Sequence, residues 1–147
     1  YAFRMKIELE LSNIKPATLN HYEKPRSRGR FISFYKPAES KLFDSLVNSQ
    51  LNKYKSEYRK FNKYYDELKH YLIIGYIFYM PVLVKKKDRI SKTSKDVDNI
   101  VKPLQDLIFK QLSADDSSII SISSTKIHSE NLNIKVSIQV KNLSGIL

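Results

Sequence analysis

One segment limits the fold of this chain more than any other. From Leu72 to Val84 nearly every residue is apolar, with Ile73, Ile74, Tyr76, Ile77, Phe78 and Tyr79 close together. The run is too short to cross a bilayer and is broken by Gly75 and Pro81. It reads as a central strand buried on both faces, and Pro81 marks where it leaves the ladder. The rest of the chain must then supply partners for its two edges and cover for its faces.

Three segments supply the edges. Met5, Ile7, Leu9 and Leu11 alternate with Lys6, Glu8 and Glu10, a period of two that predicts a half-buried strand. Leu132, Ile134, Val136, Ile138 and Val140 alternate in the same way. Ile119 to Ile127 forms a further strand, joined to the last by His128-Ser129-Glu130-Asn131. Helices supply the cover. Between Glu39 and His70 an apolar stripe runs Val47, Leu51, Tyr54, Tyr58, Phe61, Tyr65, Leu68, in steps of four and three. The stripe packs on the sheet; a dimer contact or a helical hairpin broken near Asn48 to Asn52 is the alternative. Ile100, Leu104, Leu107, Ile108 and Leu112 make a second amphipathic helix. Pro103 is best tolerated in a first turn, so that helix is expected to become regular near Lys102.

Ser12 to Pro37 carries Pro16, Pro25, Gly29 and Pro37 and has little periodicity, so it reads as a long loop. The resulting order is β-α-β-α-β-β, an α+β fold with a single mixed sheet and helices packed on it. At 147 residues the chain is most simply one domain, 1–147, with the loop at about 12–37.

Charge narrows the function. The chain has 26 Lys+Arg against 15 Asp+Glu, net +11. Two runs carry most of the excess. Lys15, Lys24, Arg26, Arg28, Arg30 and Lys36 stand with one acid, Glu23; Lys85, Lys86, Lys87, Arg89, Lys92 and Lys95 stand with one acid, Asp88. A single charge run is ordinarily solvated surface. Two runs, the second leading straight into a group of acids, point to a phosphate-binding face and hence to nucleic acid. The absence of cysteine excludes disulfides, thiolate metal sites and cysteine nucleophiles, and fits a reducing cytoplasm. No stretch reads as a signal peptide or membrane span.

The acids are Asp96-Val97-Asp98-Asn99, then Asp106, then Asp115-Asp116, with Lys102 one helical turn past Asp98. Taken singly, each has an ordinary structural reading, as a helix cap, a turn or an exposed helix position. Taken together inside a basic protein, they form a carboxylate cluster suited to Mg²⁺ or Mn²⁺. Such a cation activates water and neutralises phosphate charge in phosphodiester hydrolysis. Lys102 would add a fixed positive charge for the transition state. The three histidines, His21, His70 and His128, are scattered and show no ligand spacing.

The whole pattern resembles the RusA-type Holliday-junction resolvases. It comprises a basic run, Asp96-x-Asp98-Asn99-x-x-Lys102, Asp106 in the following helix, and Asp115-Asp116 before a strand. The first strand, the basic Pro-containing loop after it and the element order are also similar in kind. The resemblance implies a metal-dependent, structure-selective endodeoxyribonuclease that resolves four-way DNA junctions in recombination and repair. It places the essential carboxylates on Asp96, Asp98 and Asp116 and the catalytic lysine on Lys102. The metal ligands would be Asp96, Asp98 and Asp116, with Asp115 a further candidate. It also implies a homodimer.

Two other readings stay open from the residues alone. One is a non-catalytic nucleic-acid-binding protein whose acids are structural. The other is an interaction module using the aromatic helix stripe. Asp98 precedes the second helix and Asp116 follows it, so a shared metal needs either a fold-back after Leu112 or a contribution from a second subunit. The turn from Ser113 to Asp116 adds reach and favours the fold-back.

Overall fold

The computed structural model describes residues 5–14, 24–28, 31–35, 38–83 and 97–146, with the backbone alone for 24–28, 31–35, 39 and 97–99. Six strands are present: β1 (Lys6–Ile14), β2 (Lys24–Arg28), β3 (Phe31–Tyr35), β4 (His70–Met80), β5 (Ile119–His128) and β6 (Leu132–Asn142). Three α-helices are interleaved with them: α1 (Ala38–Leu51), α2 (Lys55–Tyr64) and α3 (Val97–Leu112).

β1, β6, β4 and β5 lie side by side, in that order, in one mixed sheet. β6 is antiparallel to both β1 and β4, whereas β4 and β5 are parallel. The alternation seen in the sequence sets the register, because a slip of one residue would turn every apolar side chain to solvent. Three rows cross the sheet: Ile7–Ile138–Ile74, Leu9–Val136–Tyr76 and Leu11–Ile134–Phe78. All nine side chains are buried. Phe43, Val47 and Leu51 of α1, Tyr58 and Phe61 of α2, and Ile100, Leu104, Ile108 and Leu112 of α3 cover these rows.

β4 has neighbours on both edges, as expected, but only one of its faces is buried. Leu72, Ile74, Tyr76, Phe78 and Met80 point to the helices, while Tyr71, Ile73, Gly75, Ile77 and Tyr79 are half-buried on the other face. Exposed charged residues flank that outer face, where Lys135 lies 3.6 Å from Glu10 and 5.6 Å from the centre of the Tyr79 ring. Apolar composition alone did not reveal the alternation, because both faces of β4 are apolar. The strand ends at Met80, ahead of Pro81, which has no N–H for the ladder.

The aromatic stripe does pack on the sheet, but not as one helix to His70. A 3₁₀ turn at Asn52–Tyr54 separates α1 from α2, close to the expected break. The Tyr58 hydroxyl donates to the Leu51 carbonyl at 2.7 Å and satisfies the end of α1 there. α2 stops at Tyr64 because Asp66 organises a turn. Its Oδ1 accepts from Leu68 N–H, its carbonyl accepts from His70 N–H, and its own N–H donates to His70 Nδ1. Leu68 is therefore left 83% exposed, off the stripe, and His70 opens β4 instead.

The segment read as a long loop contains an antiparallel hairpin, with Arg26 opposite Ser33 and Arg28 opposite Phe31. Phe31-Ile32-Ser33-Phe34-Tyr35 is strand-favouring, and Gly29-Arg30 between two short runs is a hairpin sequence that Pro25 obscured. This two-stranded ribbon is separate from the main sheet.

α3 begins at Val97 rather than near Lys102, so Pro103 lies inside the helix. Proline lacks the N–H that would reach the Asn99 carbonyl, a cost that buried packing offsets: Pro103 itself, Ile100 and Leu104 are all buried. α3 is the crossover between the parallel strands β4 and β5. β5 and β6 follow each other in sequence but do not pair; the chain passes over the end of β4. Ser129 N–H donates to the Met80 carbonyl at 2.9 Å, and His128 Nδ1 accepts from Val82 and Leu83 N–H, fixing that crossing. No helix among the described residues is long and apolar enough to cross a membrane.

Candidate active site

The motif acids are distributed by α3 and by the turn after it. Asp98 falls in the first turn of α3, where a carboxylate complements the helix dipole. Lys102 follows four residues later and Asp106 four after that, a spacing that returns to one side of a helix each time. Lys102 and Asp106 are exposed, while Ile100, Leu104 and Ile108 face the core. The helix thus presents a polar ridge of alternating sign away from its apolar face.

α3 ends at Leu112, and Ser113 adopts a left-handed conformation with φ 56°. Ala114 N–H donates to the Phe109 carbonyl and Ser113 N–H to the Lys110 carbonyl, closing the helix. A 3₁₀ turn over Asp116–Ser118 then leads into β5. Asp115 and Asp116 have different roles in it. One carboxylate oxygen of Asp115 accepts from Ser117 N–H at 2.9 Å, so Asp115 caps the turn. Asp116 is exposed.

Tyr76, from the middle of β4, links the two acid-bearing segments. Its hydroxyl donates to Gln105 Oε1 at 3.0 Å. Burial pushes its pKa well up, and the negative charges of Asp106 and Asp116 push it further in the same direction. Asp106 and Asp116 therefore both act on one buried phenol. The turn after α3 folds back as far as the middle of that helix.

It does not reach the start of the helix. Gln105 sits on Tyr76 at mid-strand, and the C-terminus of α3 leads within a few residues into the first residue of β5. α3 therefore runs antiparallel to β4 and β5. Asp98 lies at the end where those strands finish, and Asp116 lies near where they begin. From Asp98 to Asp106 the helix rises about 12 Å, and from Asp98 to Leu112 about 21 Å. Among the described residues no group of three or more His, Asp or Glu side chains is placed to hold a metal ion.

Several sequence-predicted residues lie outside the described residues: Asp96, Arg30, Lys85, Lys86, Lys87, Arg89, Lys92 and Lys95. The side chain of Asp98 is likewise not described. Lys24, Arg26 and Arg28 occupy alternate positions along β2. Sequence reasoning passed over Tyr76 and Gln105, which look like ordinary strand and helix residues. Only the β4–α3 contact reveals that they meet.

A mixed sheet with a β-α-β crossover, whose helix presents acids and a lysine beside an acid-led strand, defines an α+β nuclease domain. The chain belongs to the Endodeoxyribonuclease RusA family, whose family model matches residues 13–140. That membership supports a structure-selective endonuclease and so an enzyme of nuclease type. Among solved structures, the chain is similar to 2C-methyl-D-erythritol 2,4-cyclodiphosphate synthase from Plasmodium vivax over 93% of its length and 94% of the other chain. Identity there is 8% and the TM-score 0.35, which carries no argument. No curated protein matches the sequence.

Proposed function

We propose that this protein is a metal-dependent endodeoxyribonuclease that resolves four-way DNA junctions in recombination and repair, acting as a cytoplasmic homodimer. The observation that carries the reading is the convergence of Asp106 and Asp116 on Tyr76, beside the helix ridge that bears Lys102. A protein that only binds DNA gains nothing from acids gathered there, because they repel phosphate. The alternative, a basic binding protein with structural acids, accounts for Asp115 but not for Asp106 and Asp116.

The donor set fits a hard divalent cation, since the ligands on offer are carboxylate oxygens and the chain has no thiol. Asp96, Asp98 and Asp116 would hold Mg²⁺, or Mn²⁺ in its place. Asp115 is less suited, having one oxygen committed to Ser117. When bound, the cation supplies an activated water and charge neutralisation at the scissile phosphate. Lys102 holds a positive charge beside that phosphate and lowers the energy of the more highly charged transition state. Lys24, Arg26, Arg28 and Arg30 bind the DNA backbone together with Lys85, Lys86, Lys87, Arg89, Lys92 and Lys95.

The deciding experiment compares a synthetic four-way junction with linear duplex of the same sequence, with and without Mg²⁺. Paired nicks in the junction that need Mg²⁺ are expected. Tight junction binding with no cleavage under either Mg²⁺ or Mn²⁺ would select the binding-protein alternative.

A further inference from the structure

The two edges of the main sheet are treated differently. On the outer edge of β1, Glu10 N–H donates to the Tyr54 hydroxyl, Ser12 N–H donates to Gln50 Oε1, and Gln50 Nε2 donates back to the Ser12 carbonyl. Side chains thus occupy that edge and close it to another strand. β5 forms the opposite edge, and among the described residues no strand pairs with its outer side. It is ten residues long, and it exposes Ile120 by 61%, Ile122 by 49% and Ile127 by 42%. Between them lie small hydroxyl residues, Ser121, Ser123, Ser124 and Thr125. The usual guards of a free edge, proline and repeated charge, are missing from most of its length.

The charges that do occur are polar along the strand. Asp115 and Asp116 stand at its head, and Lys126 and His128 at its tail. Antiparallel pairing of two copies sets each acidic head against a basic tail; parallel pairing would set like against like. The geometry points to β5 as a self-association edge. We propose that β5 pairs antiparallel with β5 of a second copy, about a twofold axis at Ser121. In that register Ile120 of one copy meets Ile122 of the other on both sides of the axis, and Asp116 meets Lys126.

This pairing has a consequence for the site, and that part rests on the nuclease reading. Within one chain Asp116 lies near the end where β5 begins, and Asp98 at the end where it finishes. Antiparallel β5 pairing brings the head of one strand to the tail of the other. Asp116 of each copy then approaches the start of α3 in its mate, where Asp98 lies. Each metal site would be completed in trans.

The chain has no cysteine, so the interface can be probed by adding one. Ser121→Cys places two thiols across the twofold axis, within the separation a disulfide spans. Mild oxidation is expected to give a covalent dimer, while the exposed control Ser56→Cys does not. Ile122→Lys is expected to convert a sedimenting dimer to a monomer with an unchanged far-ultraviolet spectrum. If wild type is monomeric, or if Ile122→Lys stays dimeric, the β5 interface is wrong whatever the enzyme does. Mixing Asp98→Asn with Asp116→Asn subunits tests the site separately. Restored nicking supports completion in trans; dead mixtures beside an active wild type overturn it. A β5-linked wild-type dimer that cuts nothing would leave the interface standing and sink the nuclease reading.

Discussion

Tyr76 and Gln105 meet where the sheet and α3 touch, with the phenol donating to the amide oxygen at 3.0 Å from a side chain only 1% exposed. The bond fixes the face of Gln105 and places it between two acids that both act on the phenol. Tyr76→Phe keeps the ring and removes the donor. A stability loss of about 0.5–1.5 kcal/mol is expected from one half-buried hydrogen bond. Junction cleavage should slow more than that loss alone implies, because the amide beside Asp106 is freed to turn. Chemical denaturation and single-turnover cleavage separate the two effects; an unchanged cleavage rate would make the pair purely structural.

The same phenol predicts how stability responds to alkali. Burial raises the pKa of Tyr76 and of Tyr58 above the ordinary value of about 10. A raised folded-state pKa means that the native state holds its proton longer than the unfolded chain. The contribution is fully present below about pH 10 and declines as pH rises toward the folded-state value. The urea midpoint should therefore hold between about pH 8 and 9.5 and fall above it. A Tyr58→Phe, Tyr76→Phe double variant should lose part of that slope. An equally steep fall in the double variant would contradict the assignment.

The acids divide by role. Asp96→Asn, Asp98→Asn and Asp116→Asn are each expected to abolish nicking and keep junction binding, or tighten it slightly, since a negative charge leaves a basic face. Lys102→Ala should cut the rate at saturating DNA by roughly 100-fold, the scale of a lost transition-state contact. Asp115→Ala should instead cost about 1 kcal/mol of stability through its lost turn cap, leaving much of the activity. Full activity in all three Asn variants would remove the metal site.

Neutralising Arg26, Arg28 and Arg30 together, or Lys85, Lys86 and Lys87 together, should weaken binding to every DNA sequence alike. Each lost phosphate contact should flatten the dependence of log K on log salt by about 0.9. Binding isotherms at four salt concentrations measure it. An unchanged slope in both triple variants would return these runs to solvated surface.

The end of the aromatic stripe is also testable. Phe61 is fully buried, and Phe61→Ala should cost about 3–5 kcal/mol. Leu68→Ala, on an exposed residue of the same stripe, should stay within about 0.5 kcal/mol. Comparable losses at both positions would mean that the stripe continues into the core.

The sequence by itself determined the elements whose neighbours are periodic. β1 and β6 alternate apolar and polar residues because one face is wet, and α3 repeats at helical spacing because one stripe meets the sheet. The acid motif was legible for the same reason, since its spacing is local and needs no distant partner. Tertiary structure decided what depends on contacts far apart in the chain. The stripe after Tyr64 still reads as helix, and the Asp66–His70 turn stops it. β4 reads as buried on both faces, and helices cover only one. β5 and β6 are neighbours in sequence, yet β4 lies between them in the sheet. Above all, the distance between Asp98 and Asp116 was invisible in their separation along the chain. It follows from the direction in which α3 crosses between two parallel strands, and that direction is fixed only when Tyr76 finds Gln105.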